Sequence, residues 1–215
     1  MNKFRTSLTH VLSCLLLALI SACSSSVKLQ VKGELPTPLA TLYPLNLGVH
    51  YTDNFLNQIY QENTKERENW NIDYRQPRKT LFDQILPTMF QSVLPITAVS
   101  VPTDGAVIDA ILEPDLVETQ FALPDETQTD NYEAWIKYTI KLYQPDGKLI
   151  SEWQLTGYGK IPTAMFTSKT DGLNTAVTYA LRDIGARFVL DFRKAPGVQQ
   201  WIAGKINCAE YPYLC

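Results

Sequence analysis

The chain runs to 215 residues and carries 19 Lys and Arg against 22 Asp and Glu, a formal net charge of −3. That length supports one domain with a sizeable core. A mildly acidic body without a Lys/Arg cluster argues against nucleic acid as a partner.

The first element is an export signal. Lys3 and Arg5 precede the apolar run Val11–Ile20, and the small residues Ser21 and Ala22 lead to Cys23. The run is half the ~20 apolar residues that a membrane-spanning helix needs. Ile20-Ser21-Ala22-Cys23 resembles the bacterial lipobox. The resemblance implies cleavage after residue 22, diacylation of Cys23 and, with Ser24 in place of aspartate, a site on the outer membrane. The protein would meet that membrane through its acyl chains, its domain on the periplasmic face. Two basic and no acidic side chains leave with residues 1–22, so 17 basic against 22 acidic remain on the mature chain, a net −5.

Residues 23–44, with three serines and Pro36, Pro38 and Pro44, predict a lipidated N-terminus and an extended spacer. Such a spacer would lift the domain a few tens of ångströms from the bilayer. The globular unit is expected over residues 45–215. Leu45, Leu47, Val49 and Tyr51 alternate with polar or small residues, the period of a half-buried strand. Residues 52–78 are polar and charge-rich and predict a long excursion with one short strand near Trp70–Tyr74. Leu81, Phe82, Ile85, Leu86, Met89, Phe90 and Val93 recur at helical steps after a Thr80 cap, with a kink or late start expected at Pro87.

Strands are expected over 96–101 and 106–121, joined by the turn Pro102-Thr103-Asp104-Gly105, with Pro114 at an edge or bulge. A hairpin follows. Tyr132, Ala134, Ile136, Tyr138, Ile140 and Leu142 share one face, and Gln144-Pro145-Asp146-Gly147 reverses the chain into Leu149, Trp153 and Leu155. The preferred register sets Leu142 opposite Leu149 and Tyr138 opposite Trp153. A second helix begins near Asp171, its stripe made by Leu173, Val177, Ala180, Leu181, Ile184, Phe188 and Phe192, and Pro196 stops it. The expected fold class is therefore α+β: a two-layer sandwich of a mainly antiparallel sheet with two amphipathic helices on one face.

Of four cysteines, Cys208 and Cys215 stand as a close pair at the C-terminus. In an oxidising compartment they predict a disulfide closing the tail. Catalytic signals are weak. His50 is the single histidine of the mature chain, on the polar parity of its strand, and no nucleophile motif accompanies it. Asp109 and Glu113 share a strand face, but about 13 Å of backbone separates them. Asp125, Glu126 and Asp130 lack calcium-loop spacing. Gly157-Tyr158-Gly159-Lys160 lacks the phosphate-loop pattern, and its glycines are expected to let a helix approach. No catalytic, metal or cofactor residue is assigned. Trp135, Tyr143, Ile150 and Tyr158, among charges on the other face of the hairpin, form the candidate partner surface.

The lipobox and the strand–helix–strands–helix order together look like small outer-membrane lipoproteins of envelope assembly. The lipopolysaccharide-assembly lipoprotein and the curli-type secretion lipoproteins share such α+β domains. The likeness spans about Leu45–Phe192 and matches no functional residue; residues 52–78 and the cysteine-bearing tail depart from both patterns. The expected function is a non-enzymatic, membrane-anchored accessory or binding component of cell-envelope assembly or transport, docking on an envelope protein. One alternative is a binding module for an amphiphile such as lipopolysaccharide, lined by Phe82, Phe90, Phe188 and Trp153. The other is a periplasmic hydrolase, which would need a carboxylate site that no motif reveals and which variants at His50 and Asp109 would test.

Overall fold

The structure is a computed structural model that describes residues 26–63, 68–100, 107–127 and 129–214. The leader, Cys23, the turn at 102–105 and Cys215 lie outside them. In chain order the strands are β1 (Ser26–Gln30), β2 (Tyr43–Val49), β3 (Tyr60–Glu62), β4 (Asn69–Asp73), β5 (Phe90–Pro95), β6 (Ala110–Ala122), β7 (Asn131–Tyr143) and β8 (Leu149–Pro162). The helices are α1 (Asp53–Asn57), α2 (Arg75–Met89), α3 (Pro124–Thr127), α4 (Lys169–Asp191) and α5 (Val198–Lys205).

Five strands form one sheet in the order β5-β2-β6-β7-β8. The fold is the expected α+β sandwich, with α2 and α4 against one sheet face. The sheet is mixed, however: β6, β7 and β8 are antiparallel, whereas β2 lies parallel to both β5 and β6. Parallel neighbours need crossovers, and the whole segment from α1 to α2 is the crossover from β2 to β5.

The inner face of β7 is as periodicity predicts, with Ala134, Ile136, Tyr138, Ile140 and Leu142 all at 0% exposure. The register differs by two residues: Leu142 faces Ser151 and Tyr138 faces Leu155. Two single-residue insertions account for this. The Gly147 N–H donates to the Gln144 carbonyl, and Gly147 takes φ 88°. This makes a three-residue loop, one residue longer than the tightest hairpin. Ile150 is then bulged out, because Tyr143 pairs with Leu149 and Leu142 with Ser151. Two insertions restore the side-chain parity, so the faces survive while the partners shift. Leu149, before the bulge, is exposed.

Ser168 caps α4 by accepting the Asp171 N–H at 3.1 Å. Its predicted stripe is buried throughout, each large side chain contributing about 1.5–3 kcal/mol. Close approach to β8 depends on two glycines. A Cβ on Gly157 would stand 2.3 Å from the Ala180 carbonyl oxygen, and one on Gly159 would stand 1.9 Å from that of Ala176. Helix α2 begins five residues before the expected cap, since Pro77 falls in its first turn, where the missing N–H costs nothing. Pro87 lies inside it, and Phe90 and Val93 leave the helix for β5. The strand expected at 96–101 is thus displaced to 90–95. Pro114 lies beyond the three-residue pairing of β6 with β2, and β6 bulges between Leu116 and Glu118.

The larger departure is N-terminal. Residues 26–30 are not spacer: they form β1, parallel to β4, and β3 completes a second, three-stranded sheet. Leu29, Val31 and Leu35 are buried. The segment after β1 is strapped to α4. The Lys32 N–H donates to Asn174 Oδ1 at 2.7 Å and Asn174 Nδ2 donates to the Lys32 carbonyl at 2.8 Å, while Arg182 Nη2 donates to the Glu34 carbonyl at 2.9 Å. No helix among the described residues is long and apolar enough to cross a membrane.

Candidate functional site

The face of β6, β7 and β8 turned away from the helices carries the polar parity of each strand. Cross-strand neighbours there alternate in charge: Glu113 pairs with Lys141, which pairs with Glu152, and Glu118 pairs with Lys137. Into this ladder the sequence inserts one aromatic pair. Trp135 and Tyr158 are direct cross-strand partners, their ring centroids 5.0 Å apart and tilted by 31°. The Tyr158 hydroxyl donates to Glu133 Oε2 at 2.9 Å, and Lys160 Nζ lies 3.5 Å from Glu133 Oε1. Glu133 is 7% exposed. Desolvation first, and the Glu133 carboxylate second, push the Tyr158 phenol up to about 12. The phenol therefore stays a neutral donor, and the ring pair presents an apolar plate with a polar rim.

The other two predicted surface residues stand elsewhere. Tyr143 is eight residues further along β7, about 26 Å from Trp135. Its hydroxyl donates to Glu113 Oε1 at 3.4 Å, and burial together with that carboxylate raises it to about 12. Ile150, at the bulge, packs against the core. The four do not make one patch: the Ile150 bulge turns one residue inward, and strand length separates Tyr143 from the ring pair.

Around Glu113 a second polar cluster gathers. His50 Nδ1 lies 2.7 Å from Glu113 Oε2, and Lys141 Nζ lies 3.9 Å from Oε1. The pairing follows from β2 ending beside β6, where the His50 N–H donates to the Leu112 carbonyl at 2.9 Å. A histidine oriented by a carboxylate is two parts of a general-base arrangement; the hydroxyl that joins it among the described residues, that of Tyr143, bonds the carboxylate and not the imidazole. Asp109 is held apart, its Oδ2 accepting the Asn46 N–H at 2.9 Å, with Lys205 Nζ 3.8 Å from Oδ1. Asp125 bonds Lys169 at 2.8 Å, and that hydrogen bond, before other causes, lowers its carboxyl. No group of three or more metal-ligating side chains converges among the described residues.

Of the four rings expected to line an amphiphile cavity, Phe82, Phe90 and Phe188 fill the core and Trp153, partly buried, packs against it. Phe82 and Phe188 stand 5.8 Å apart edge to face, Trp153 lies 6.5 Å from Phe188, and Phe90 lies 5.4 Å from Phe192. A small apolar cleft of about 100 Å³ lies outside it, between Leu35, Pro36 and Pro38 of the strap and Leu81, Ile85 and Gly185 of the helices.

Cys208 follows α5, its Sγ 4.0 Å from the Ile206 carbonyl oxygen. Sequence reasoning weighed Glu113 only as a partner for Asp109 and missed that Glu113 and Glu133 are both buried. Their signal was cross-strand: each sits opposite or diagonal to a lysine and a tyrosine once the register is known.

No protein-family model matches the chain, and no curated protein matches it. Solved structures of similar fold include protein XCC0632 of the DUF330 family from Xanthomonas campestris, at TM-score 0.50 and 13% identity over 76% of this chain and 93% of that one. A minor lipoprotein from Acinetobacter baumannii follows at TM-score 0.40 and 10% identity, over 72% of this chain and 96% of that one. The rare lipoprotein B from Shewanella oneidensis gives TM-score 0.40 and 10% identity, over 69% of this chain and 94% of that one. At these identities the likeness is one of fold: an α+β sandwich of the kind in the Xanthomonas protein.

Proposed function

We propose that this chain is a lipid-anchored accessory protein of the bacterial cell envelope, working by docking on another envelope protein. The lipobox-like Ile20–Cys23 supports the anchor, with acylation at Cys23 and the outer membrane as its site. The Cys208–Cys215 disulfide belongs to the same reading, since such a protein would fold in an oxidising compartment. The observation that carries docking is the Trp135–Tyr158 plate on the sheet face turned away from α2 and α4, its phenol kept neutral above Glu133. Paired aromatics with a satisfied polar rim are the composition of protein interfaces. In the His50–Glu113–Tyr143 cluster the phenol bonds the carboxylate and not the imidazole, which gives a catalytic reading less support than the ring pair gives docking.

The test is photo-crosslinking in intact cells from residue 135 or 158. One discrete adduct at both positions, absent from a crosslinker at the exposed Leu190 of α4, is the expected result. Identical, diffuse adducts from all three positions would remove the docking face.

A further inference from the structure

We infer that the domain stands directly on the bilayer by one end, with the turn between β7 and β8 pointing away from it. The inference rests on acylation of Cys23 and on where the folded chain begins. Strand β1 starts at Ser26, three peptide steps after Cys23. At 3.8 Å between consecutive Cα atoms, residue 23 lies within about 11 Å of Ser26 whatever path joins them. The spacer expected up to residue 44 is consumed by β1 and by the strap on α4, so a lipidated Cys23 would hold the domain at the headgroups.

Which end touches follows from the pairing. Ser26 is the partner of Asn69, and the adjacent Glu68 lies 3.7 Å from Lys169 at the start of α4. Lys169 also holds Asp125 at 2.8 Å, and the Thr163 N–H donates to the Asp130 carbonyl where β7 begins and β8 ends. Met165, in the same connection, is 65% exposed. The opposite end of the 13-residue strand β7 is about 40 Å away. Helix α4 runs the same way, 23 residues or about 34 Å. Among the described residues two carboxylates, Glu68 and Asp125, share the one ammonium of Lys169, so this ion cluster is net acidic and suits a zwitterionic headgroup layer, with Met165 as its apolar contact. The ring pair Trp135–Tyr158 then sits nearer the bilayer, and the His50–Glu113–Tyr143 cluster farther out.

The experiment uses the full-length acylated protein in phosphatidylcholine/phosphatidylethanolamine vesicles carrying a headgroup energy acceptor. A fluorescent amino acid replaces Met165 in one sample and Asp146, in the exposed turn between β7 and β8, in the other. Transfer from position 165 should exceed that from 146 about threefold or more, given ~40 Å between the two ends. Adding about ten Gly and Ser residues after Ser25 should abolish the contrast by freeing the domain. Protein that floats with the vesicles but transfers equally from both positions, or more from 146, overturns the inference while leaving the anchor intact. A contrast that persists with the added residues also overturns it, because the short link would not be the cause. Protein that does not float defeats the acylation reading, and this inference with it.

Discussion

Gly159 of β8 lies under Ala176 of α4 so closely that a Cβ added to the glycine would meet the Ala176 carbonyl oxygen at 1.9 Å. The obstructing atom is helix backbone, which cannot rotate aside like a side chain. Gly159→Ala should therefore push α4 off the sheet and destabilise the domain by about 3 kcal/mol, the upper range for overpacking. That corresponds to a Tm lower by ~6–12 °C for a domain of this size. Thermal unfolding followed by circular dichroism measures it; an unchanged midpoint would refute the close contact.

Arg78 is fully buried, with its guanidinium 5.3 Å from the Phe55 ring centroid and 5.1 Å from that of Tyr74. Nη2 donates to the Gln58 carbonyl at 2.8 Å, while Nε and Nη1 have no hydrogen-bond partner among the described residues. Among the described residues no carboxylate makes an ion pair with it, although its charge reaches Asp73 and, after the hydrogen bond from Arg75, helps to lower that carboxyl. A buried charge so placed costs more than its ring contacts return. Arg78→Met keeps the stem, and Gln58 is exposed, so its carbonyl can turn to water. The methionine variant should be more stable by about 1–2 kcal/mol, and Arg78→Ala less stable by ~2–3 kcal/mol through the cavity. Urea unfolding of the three proteins decides the order.

Burial and a neighbouring carboxylate push the phenols of Tyr143 and Tyr158 up from the usual 10.0 to about 12. A phenol whose proton is held more tightly in the folded than in the unfolded chain contributes stability that is fully present below pH 10. That stability is lost as pH rises from 10 through 12. Tyr43, Tyr51, Tyr74, Tyr138 and Tyr211 are raised as well, so the two are identified by difference. Absorbance titration of Tyr143→Phe and of Tyr158→Phe should each lose one phenol from the window near pH 12, with unfolding eased over the same window. Glu133→Gln removes the carboxylate but not the burial, so Tyr158 should move below 12 and remain above 10. A Tyr158 titration that stays at 12 would assign its shift to burial alone.

The two hydrogen bonds between Asn174 and Lys32 close a clamp on the strap. Asn174→Ala should cost about 1–2 kcal/mol for two partly exposed bonds. Amide exchange should rise at Lys32 and its neighbours, with little change in β7. Exchange that rises equally across the sheet would mean global destabilisation, not release of the strap.

What local pattern dictated, the chain carried in plain view. The inner face of β7 and the stripe of α4 are legible because burial on one side imposes periods of two and 3.6 on neighbouring residues. The glycines at 157 and 159 were readable for the same reason: two absent side chains on the helix-facing parity signal close approach. The hairpin partners were not readable, because a third loop residue and the bulge at Ile150 each move the register by one without disturbing either face. Nor was β1. Ser26–Gln30 acquires its structure only from Asn69–Asp73, some forty residues on, and no short-range pattern distinguishes it from spacer. Burial of Arg78 and of Glu113 likewise follows from what packs over them. Periodicity belongs to the chain itself; register, strand partners and the fate of buried charges depend on contacts between distant segments, which only the folded domain brings together.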